Sequence, residues 1–325
     1  MGGSGRLEKE TKLIGQIETL IDGKPKILTA FYHDMVGDNK QYSTIKNYVK
    51  YVMDFMDYFN CGNDDEFYNN ISASDIKHYI GSLKTKTNGS NVVRLGGSIQ
   101  AARWSALNTF YNFLNVNDYI DYNPMAKTKR PKHKQTRKIV YLDQHEIHSV
   151  FNKIEENATP MLKARDECIL SVGIGTGLRV SAIAQINVED IDFANNVIHV
   201  IEKGNKVRDI SIGNNTKNAI QKWMNDRERV FGVAGNGPLF LSKMKNRITV
   251  YAIEDMVEKY TKHLNKHITP HGMRKTAAMI LVREGYSPQA IMKMLGHENI
   301  QTTMFYIDAF KNENESMAIA LDQSI

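Results

Sequence analysis

The chain has 325 residues, of which 42% are hydrophobic and 24% charged, with only 7 prolines; this composition excludes a disordered or fibrous protein and leaves room for two cores or one large one. A formal net charge of +6 tilts toward a polyanionic partner such as DNA or RNA without requiring one. The start MGGSGR holds no apolar stretch of signal-peptide length, no run of about eighteen apolar residues occurs, and Cys61 and Cys168 form neither a CxxC nor a metal-ligand spacing. A cytoplasmic, DNA-associated protein with two buried thiols and no membrane partner is therefore expected.

MGGSG reads equally as an expression remnant and carries no weight in the fold. Residues 7 to 25 offer one short helix at most. After Ser43, read as an N-cap, Ile45, Tyr48, Val49, Val52, Phe55, Met56 and Phe59 recur at intervals of three and four and predict an amphipathic helix. Ser74-Asp75 is read as the opening of a second helix through Ile76, Tyr79 and Ile80, and KTKTNGSN (84–91) as a flexible polar loop. A further helix from Ser98 carries Trp104, Leu107, Phe110, Tyr111 and Leu114, so about four helices form a small bundle in which Phe55, Phe59 and Phe110 serve as core.

Residues 127–138 hold Lys127, Lys129, Arg130, Lys132, Lys134, Arg137 and Lys138 and no acid. Pro124 and Pro131 discourage helix there and like charges extend the chain, which predicts an interdomain linker whose cations lie against phosphates. The expected division is a helical domain over 24–126, the linker over 127–140 and a second domain over 141–325.

The second half mixes structure types. A helix is expected over roughly 160–172, then a turn at GIGTG and another helix from about Arg179. IDFANNVIHVIEKGNKVRDISI (191–212) alternates on either side of Asn195-Asn196 and Gly204-Asn205 and predicts a meander of short strands. GIGTGL lacks the sixth-position glycine of a dinucleotide fingerprint and the GK[ST] of a phosphate loop, so its glycines are read as turning the chain and delivering Arg179 to a helix start. HGMR (271–274) follows Thr269-Pro270, which suits a helix start, and residues three apart place His271 and Arg274 on one face. Taken alone, H-x-x-R describes a surface pair, and Tyr306 a packing tyrosine.

The ordered set carries more. GTGLRVS, the KGNK hairpin, HGMRKTA and LGHENIQTTMFY, in this order and spacing, resemble the catalytic domain of the tyrosine recombinases, or phage-type integrases, over about residues 141–310. The helical first half resembles that family's core-binding domain. The fold implied is mainly α with a small antiparallel β-sheet, a helical core-binding domain preceding an α+β catalytic domain. The activity implied is site-specific cleavage and rejoining of double-stranded DNA, the chemistry of integration, excision or resolution by mobile elements.

The residues suit that chemistry. In-line attack on a phosphodiester builds negative charge on the non-bridging oxygens, which Arg179 and Arg274 would balance with fixed, always-charged forks. Tyr306 would attack phosphorus to give a 3′-phosphotyrosyl enzyme, with His271 as candidate base because a free phenol has a pKa of about 10. Lys203 would protonate the departing 5′-oxygen, with Lys206 of the same turn as fallback and a DNA contact, and His297 would hydrogen-bond a non-bridging oxygen. The resemblance implies neither metal nor cofactor, and the covalent link conserves the bond energy.

Two positions depart from the family pattern. Ala182 stands where an acidic residue commonly follows the first arginine by three, so whatever holds Arg179 in place is different or weaker. Lys275 replaces a histidine often found after the second arginine and adds charge for DNA beside the site. The tail beyond Tyr306 carries the apolar run Met317, Ala318, Ile319, Ala320 and Leu321, expected to dock on a neighbouring subunit and build a tetramer on two DNA duplexes. No arm-binding domain is expected ahead of the bundle. A type IB topoisomerase and a non-catalytic DNA-binding accessory protein are the alternatives.

Overall fold

The computed structural model describes residues 4–83, 85–88, 91–94, 97–132, 139–201 and 207–322. It divides into two compact units, residues 1–136 and 137–325. No helix among the described residues is long and apolar enough to cross a membrane.

The first unit is built on α1 (Ser4–Ile21), α2 (Lys26–Gly37), α3 (Tyr42–Tyr58), α4 (Ala73–Ser82) and α5 (Gly97–Val116). The three-and-four spacing along α3 buries Ile45, Val49, Val52, Phe55 and Met56 as one stripe, and α1, α2 and α5 pack against it. Aromatic rings fill the centre: Phe31 meets Phe110 edge-on at 5.1 Å, and Phe55 meets Tyr79 at 5.0 Å. Phe59 packs on this core from a half-buried position. Ile17 and Ile21 of α1 belong to the same core, so the unit begins well before residue 24 and its N-terminal helix is longer than the sequence suggests.

Local signals differ from expectation in three places. Gln41, not Ser43, occupies the N-cap of α3, and Ser72, not Ser74, caps α4 through a reciprocal box with Asp75. Within the segment read as loop, β1 (Thr85–Asn88) pairs antiparallel with β2 (Asn91–Arg94). Thr-Lys-Thr-Asn carries no apolar alternation, so the pairing left no pattern to read. Trp104 Nε1 donates to Thr128 Oγ1 at 2.9 Å, which fastens the start of the basic segment to α5.

The second unit contains α6 (Gln144–Asn157), α7 (Lys163–Thr176), α8 (Val180–Gln185), α9 (Asn214–Phe231), α10 (Val250–Thr261), α11 (Pro270–Arg283), α12 (Pro288–Leu295) and α13 (Ile300–Asp322). Its strands β3 (Ile191–Asp192), β4 (Val197–Ile201) and β5 (Val207–Ser211) form the antiparallel meander in the order β3-β4-β5. Asn196 takes the left-handed conformation, φ 54°, at the β3–β4 turn, as its place in Asn195-Asn196 requires. α7 is the central element, buried on most sides and packed on α9 and α11. Cys168 lies fully within it and Cys61 is half-buried in the other unit; both are free thiols.

GIGTG is not a turn throughout. Gly173 and Gly175 continue α7, where a side chain at either would strike Met273 or Thr216, and only Gly177 leaves the helix, with φ +63°. A Cβ at Gly177 would also stand 2.4 Å from Leu295 Cδ2, so this residue answers both a backbone and a packing demand. Ala277, Ala278, Met279, Val282, Ile291, Leu295 and Tyr306 then form a second small core that holds α11, α12 and α13 together.

Gly177→Ala is expected to lower unfolding free energy by about 1–3 kcal/mol, read from urea denaturation with an unchanged m-value. A change under about 0.5 kcal/mol would show that the left-handed turn is not strained by a Cβ.

Candidate active site

Each side chain of the candidate centre is presented by the end of a helix. The Gly177 turn delivers Arg179 to the N-cap of α8, with extended backbone, φ −66° and ψ 143°. Thr269 and Pro270 open α11, which places His271 at its exposed start and Arg274 one turn further in, only 2% exposed. Ser287 caps α12 through the Ala290 amide; Gly296 ends it in the left-handed conformation, φ 66°, and the chain turns directly into His297. Tyr306 lies in the second turn of α13, 4% exposed, on the face that meets α11 and α12.

These ends are tied to one another. Arg274 Nη1 donates to the Gly177 carbonyl at 2.9 Å, two residues before Arg179. Arg179 Nη2 in turn donates to the Gly296 carbonyl at 3.3 Å, one residue before His297. The His297 ring shares a hydrogen bond of 2.9 Å between Nδ1 and Thr303 Oγ1, and lies parallel to the Tyr306 ring, centroids 6.1 Å apart at 11°. Each guanidinium thus grips the backbone that carries the next functional side chain. The Gly296 carbonyl is one answer to what holds Arg179 when Ala182 offers no carboxylate.

Charge follows from this crowding. Burial first, and Arg274, Arg179, His271 and Arg208 after it, push the His297 imidazole down to about 4. His271 is also lowered, by desolvation and then by Lys275, Arg274 and Arg179. Burial raises the Tyr306 phenol above its ordinary value while Arg274 pulls the other way. At neutral pH both histidines are accordingly neutral and the phenol protonated, among fixed cations that suit an anionic ligand.

Arg179, Arg274, His297 and Tyr306 are therefore brought together, with His271 and Lys275 within electrostatic reach. Lys203 and Lys206 lie outside the described residues, as do Lys134, Arg137 and Lys138. Lys127, Lys129, Arg130 and Lys132 are exposed on the first unit, with Lys127 Nζ 5.1 Å from the centre of the Tyr122 ring. Sequence reasoning missed Thr303, although it stands one turn before Tyr306 on the same face, the spacing that could have exposed it. It also missed Arg208, whose Nη1 donates to the Lys293 and Met294 carbonyls at the end of α12.

A further tie joins the far part of α13 to the beginning of the domain. Tyr141 Oη donates to the Glu313 carboxylate at 3.0 and 3.1 Å, and Arg283 Nη2 reaches the Tyr141 oxygen at 2.6 Å. Burial and the Glu313 bond push the Tyr141 phenol up to about 12. α13 runs unbroken from Tyr306 through this tie to Asp322, and Ile319 remains exposed on it.

Residues 140–313 match the model of the phage integrase family, more than half the chain. The protein belongs to that family. Among related integrases, this chain is 31% identical over 248 residues to the tyrosine recombinase XerC of Caldanaerobacter subterraneus subsp. tengcongensis, a match covering 75% of this chain and 66% of that protein. With XerC of Oceanobacillus iheyensis it shares 28% over 250 residues, 75% of this chain and 78% of the other. The fold is similar to that of the Tn1549 transposon integrase solved with a circular intermediate DNA, at a TM-score of 0.67, 21% identity, and coverage of 90% and 99%. It is also similar to that of the XerH site-specific recombinase bound to its difH substrate, with TM-score 0.65, 18% identity, and coverage of 86% and 80%.

Because His297 is held neutral in the folded chain and titrates normally when unfolded, the unfolded state binds more protons between pH 6.5 and about 4. Stability is thus expected to fall as pH drops through that window, and His297→Gln to flatten the dependence. Melting temperatures recorded across the range check this; an equally steep decline in the variant would assign it to other groups.

Proposed function

We propose that this protein is a site-specific DNA recombinase that breaks and rejoins strands through a 3′-phosphotyrosyl intermediate. The observation that carries the reading is the convergence of Arg179, Arg274, His297 and Tyr306 by way of the two arginine-to-carbonyl bonds. A tyrosine whose ring lies along a neutral histidine, within electrostatic reach of the Arg274 guanidinium, suits attack on a phosphodiester. Relatives named as tyrosine recombinases, and neighbours of like fold solved on recombination-site DNA, support the same reading.

In the proposed reaction the Tyr306 oxygen forms a bond to phosphorus as the bond from phosphorus to the 5′-oxygen breaks. The phenolic proton passes to His271, whose lowered proton affinity keeps it free to accept at neutral pH, and Lys203 supplies a proton to the leaving 5′-oxygen. Arg179 and Arg274 neutralise the charge that develops on the non-bridging oxygens, and His297 donates a hydrogen bond to one of them. Reversal with a 5′-hydroxyl of another strand rejoins the DNA. The exposed cations of 127–132 and Lys275 would hold the duplex by its phosphates, and the end of α13, with Ile319 uncovered, would pass to a neighbouring subunit in a tetramer on two duplexes. The role would be that of a mobile-element integrase or a resolving enzyme.

Duplexes nicked next to the scissile phosphate of the footprinted site are expected to trap a covalent protein–DNA adduct, and Tyr306→Phe to form none. Arg274→Lys should slow trapping by roughly 10²–10³-fold, since a point charge replaces a fork. Exchange of strands between two duplexes separates recombination from simple relaxation of supercoils. Absence of any adduct with the intact protein would turn the reading toward accessory DNA binding. Affinity for the site should also fall steeply between 50 and 200 mM salt, on the order of 10³-fold if about six phosphates are neutralised; a flat response would contradict a phosphate-held duplex.

A further inference from the structure

Arg208 has no part in the chemistry just described, yet its side chain is committed to the site's scaffold. It stands on β5 opposite Val200, between the exposed Val207 and the buried Ile210 that seats the strand in the core. From there its Nη1 spans to α12 and donates to two successive carbonyls, Lys293 at 3.0 Å and Met294 at 2.9 Å.

Those carbonyls belong to the last turn of a helix only 8 residues long. Such an end leaves carbonyls without helical partners. The Gly296 and His297 amides both turn back on this turn, the latter to Met292 at 3.0 Å, while the Met294 carbonyl accepts from Arg208. A guanidinium suits the place because one nitrogen can bridge two acceptors and its charge lies favourably at a helix C-terminus. Just beyond this turn come the Gly296 carbonyl that Arg179 grips and the His297 ring that lies along Tyr306.

We propose that Arg208 is a positioning residue: by holding the last turn of α12 against the β-sheet, it sets the register of the Gly296 carbonyl and the His297 ring relative to Arg179 and Tyr306. The inference rests on the reading of this site as a strand-cleaving centre. Its structural half stands on hydrogen bonds alone and can be judged separately.

The test uses the full chain and the nicked duplex. Arg208→Ala is expected to slow single-turnover cleavage by roughly 10–100-fold while DNA affinity stays within about twofold, the pattern of a misplaced catalytic group rather than a lost phosphate contact. Combined with His297→Ala, the two losses should be less than multiplicative, because part of what Arg208 supports, the placing of the His297 ring, is already gone. Arg208→Lys, which keeps a donor and the charge, should recover most of the rate. Hydrogen exchange should accelerate at least about tenfold at the Gly296 and His297 amides, with α11 unchanged.

Multiplicative losses in the double variant, unaltered exchange at those two amides, or weakened DNA affinity at an unchanged cleavage rate would each overturn the proposal. Should Arg208→Ala not fold, Arg208→Gln faces the same exchange measurement. An intact protein that forms no adduct would count against the strand-cleaving reading, whereas the exchange result would still decide whether Arg208 holds the α12 turn.

Discussion

The buried guanidinium of Arg274 bonded to the Gly177 carbonyl is the contact on which the arrangement depends. Removing a charge from water is expensive, and only good partners offset that cost. Here a backbone oxygen supplies one of them, and the bond fixes the turn that delivers Arg179. Arg179 then does the same for the turn that delivers His297. Three helix ends, brought from α7, α11 and α12, are held in mutual register by two cations that are also the groups best suited to bind an anion.

Positive charge gathers in this centre. Arg179, Arg274, Arg208 and Lys275 crowd a small volume, and the histidines respond by remaining neutral. Backbone carbonyls take up donors of the three arginines without contributing net charge. The arrangement keeps donors pointed and charges fixed in advance, so little reorganisation would be needed when negative charge arrives. Tyr306 feels both influences, raised by burial and drawn down by Arg274.

The motifs around Arg179, Arg274 and Tyr306 were legible because their chemistry restricts residue identity: arginine for a fixed fork, tyrosine for an oxygen nucleophile, glycine for a left-handed turn. The helical stripe of α3 and the meander over 191–212 were legible through periodicity. The arginine contacts that assemble the site were not, since half of each is a carbonyl, and a carbonyl carries no residue identity. Ala182 left open a different or a weaker hold on Arg179, and the structure supplies Gly296, more than a hundred residues away. The pairing of β1 with β2, the cap at Ser72 and the burial of Ile17 went unread for simpler reasons: Thr-Lys-Thr-Asn has no apolar alternation, Ser72 and Ser74 stand two residues apart, and charged and polar residues interrupt the apolar ones along α1.

α13 has one more implication. A continuous helix moves as a rod, and Glu313 lies about 10 Å along it from Tyr306 at roughly 1.5 Å per residue. Through Tyr141 and Arg283 that carboxylate is fastened to the first residues of its own domain, just past the point where the chain enters from the other unit. Because no break interrupts α13 between Glu313 and Tyr306, the bond that fastens one end of this stretch also bears on where the phenol at the other end stands.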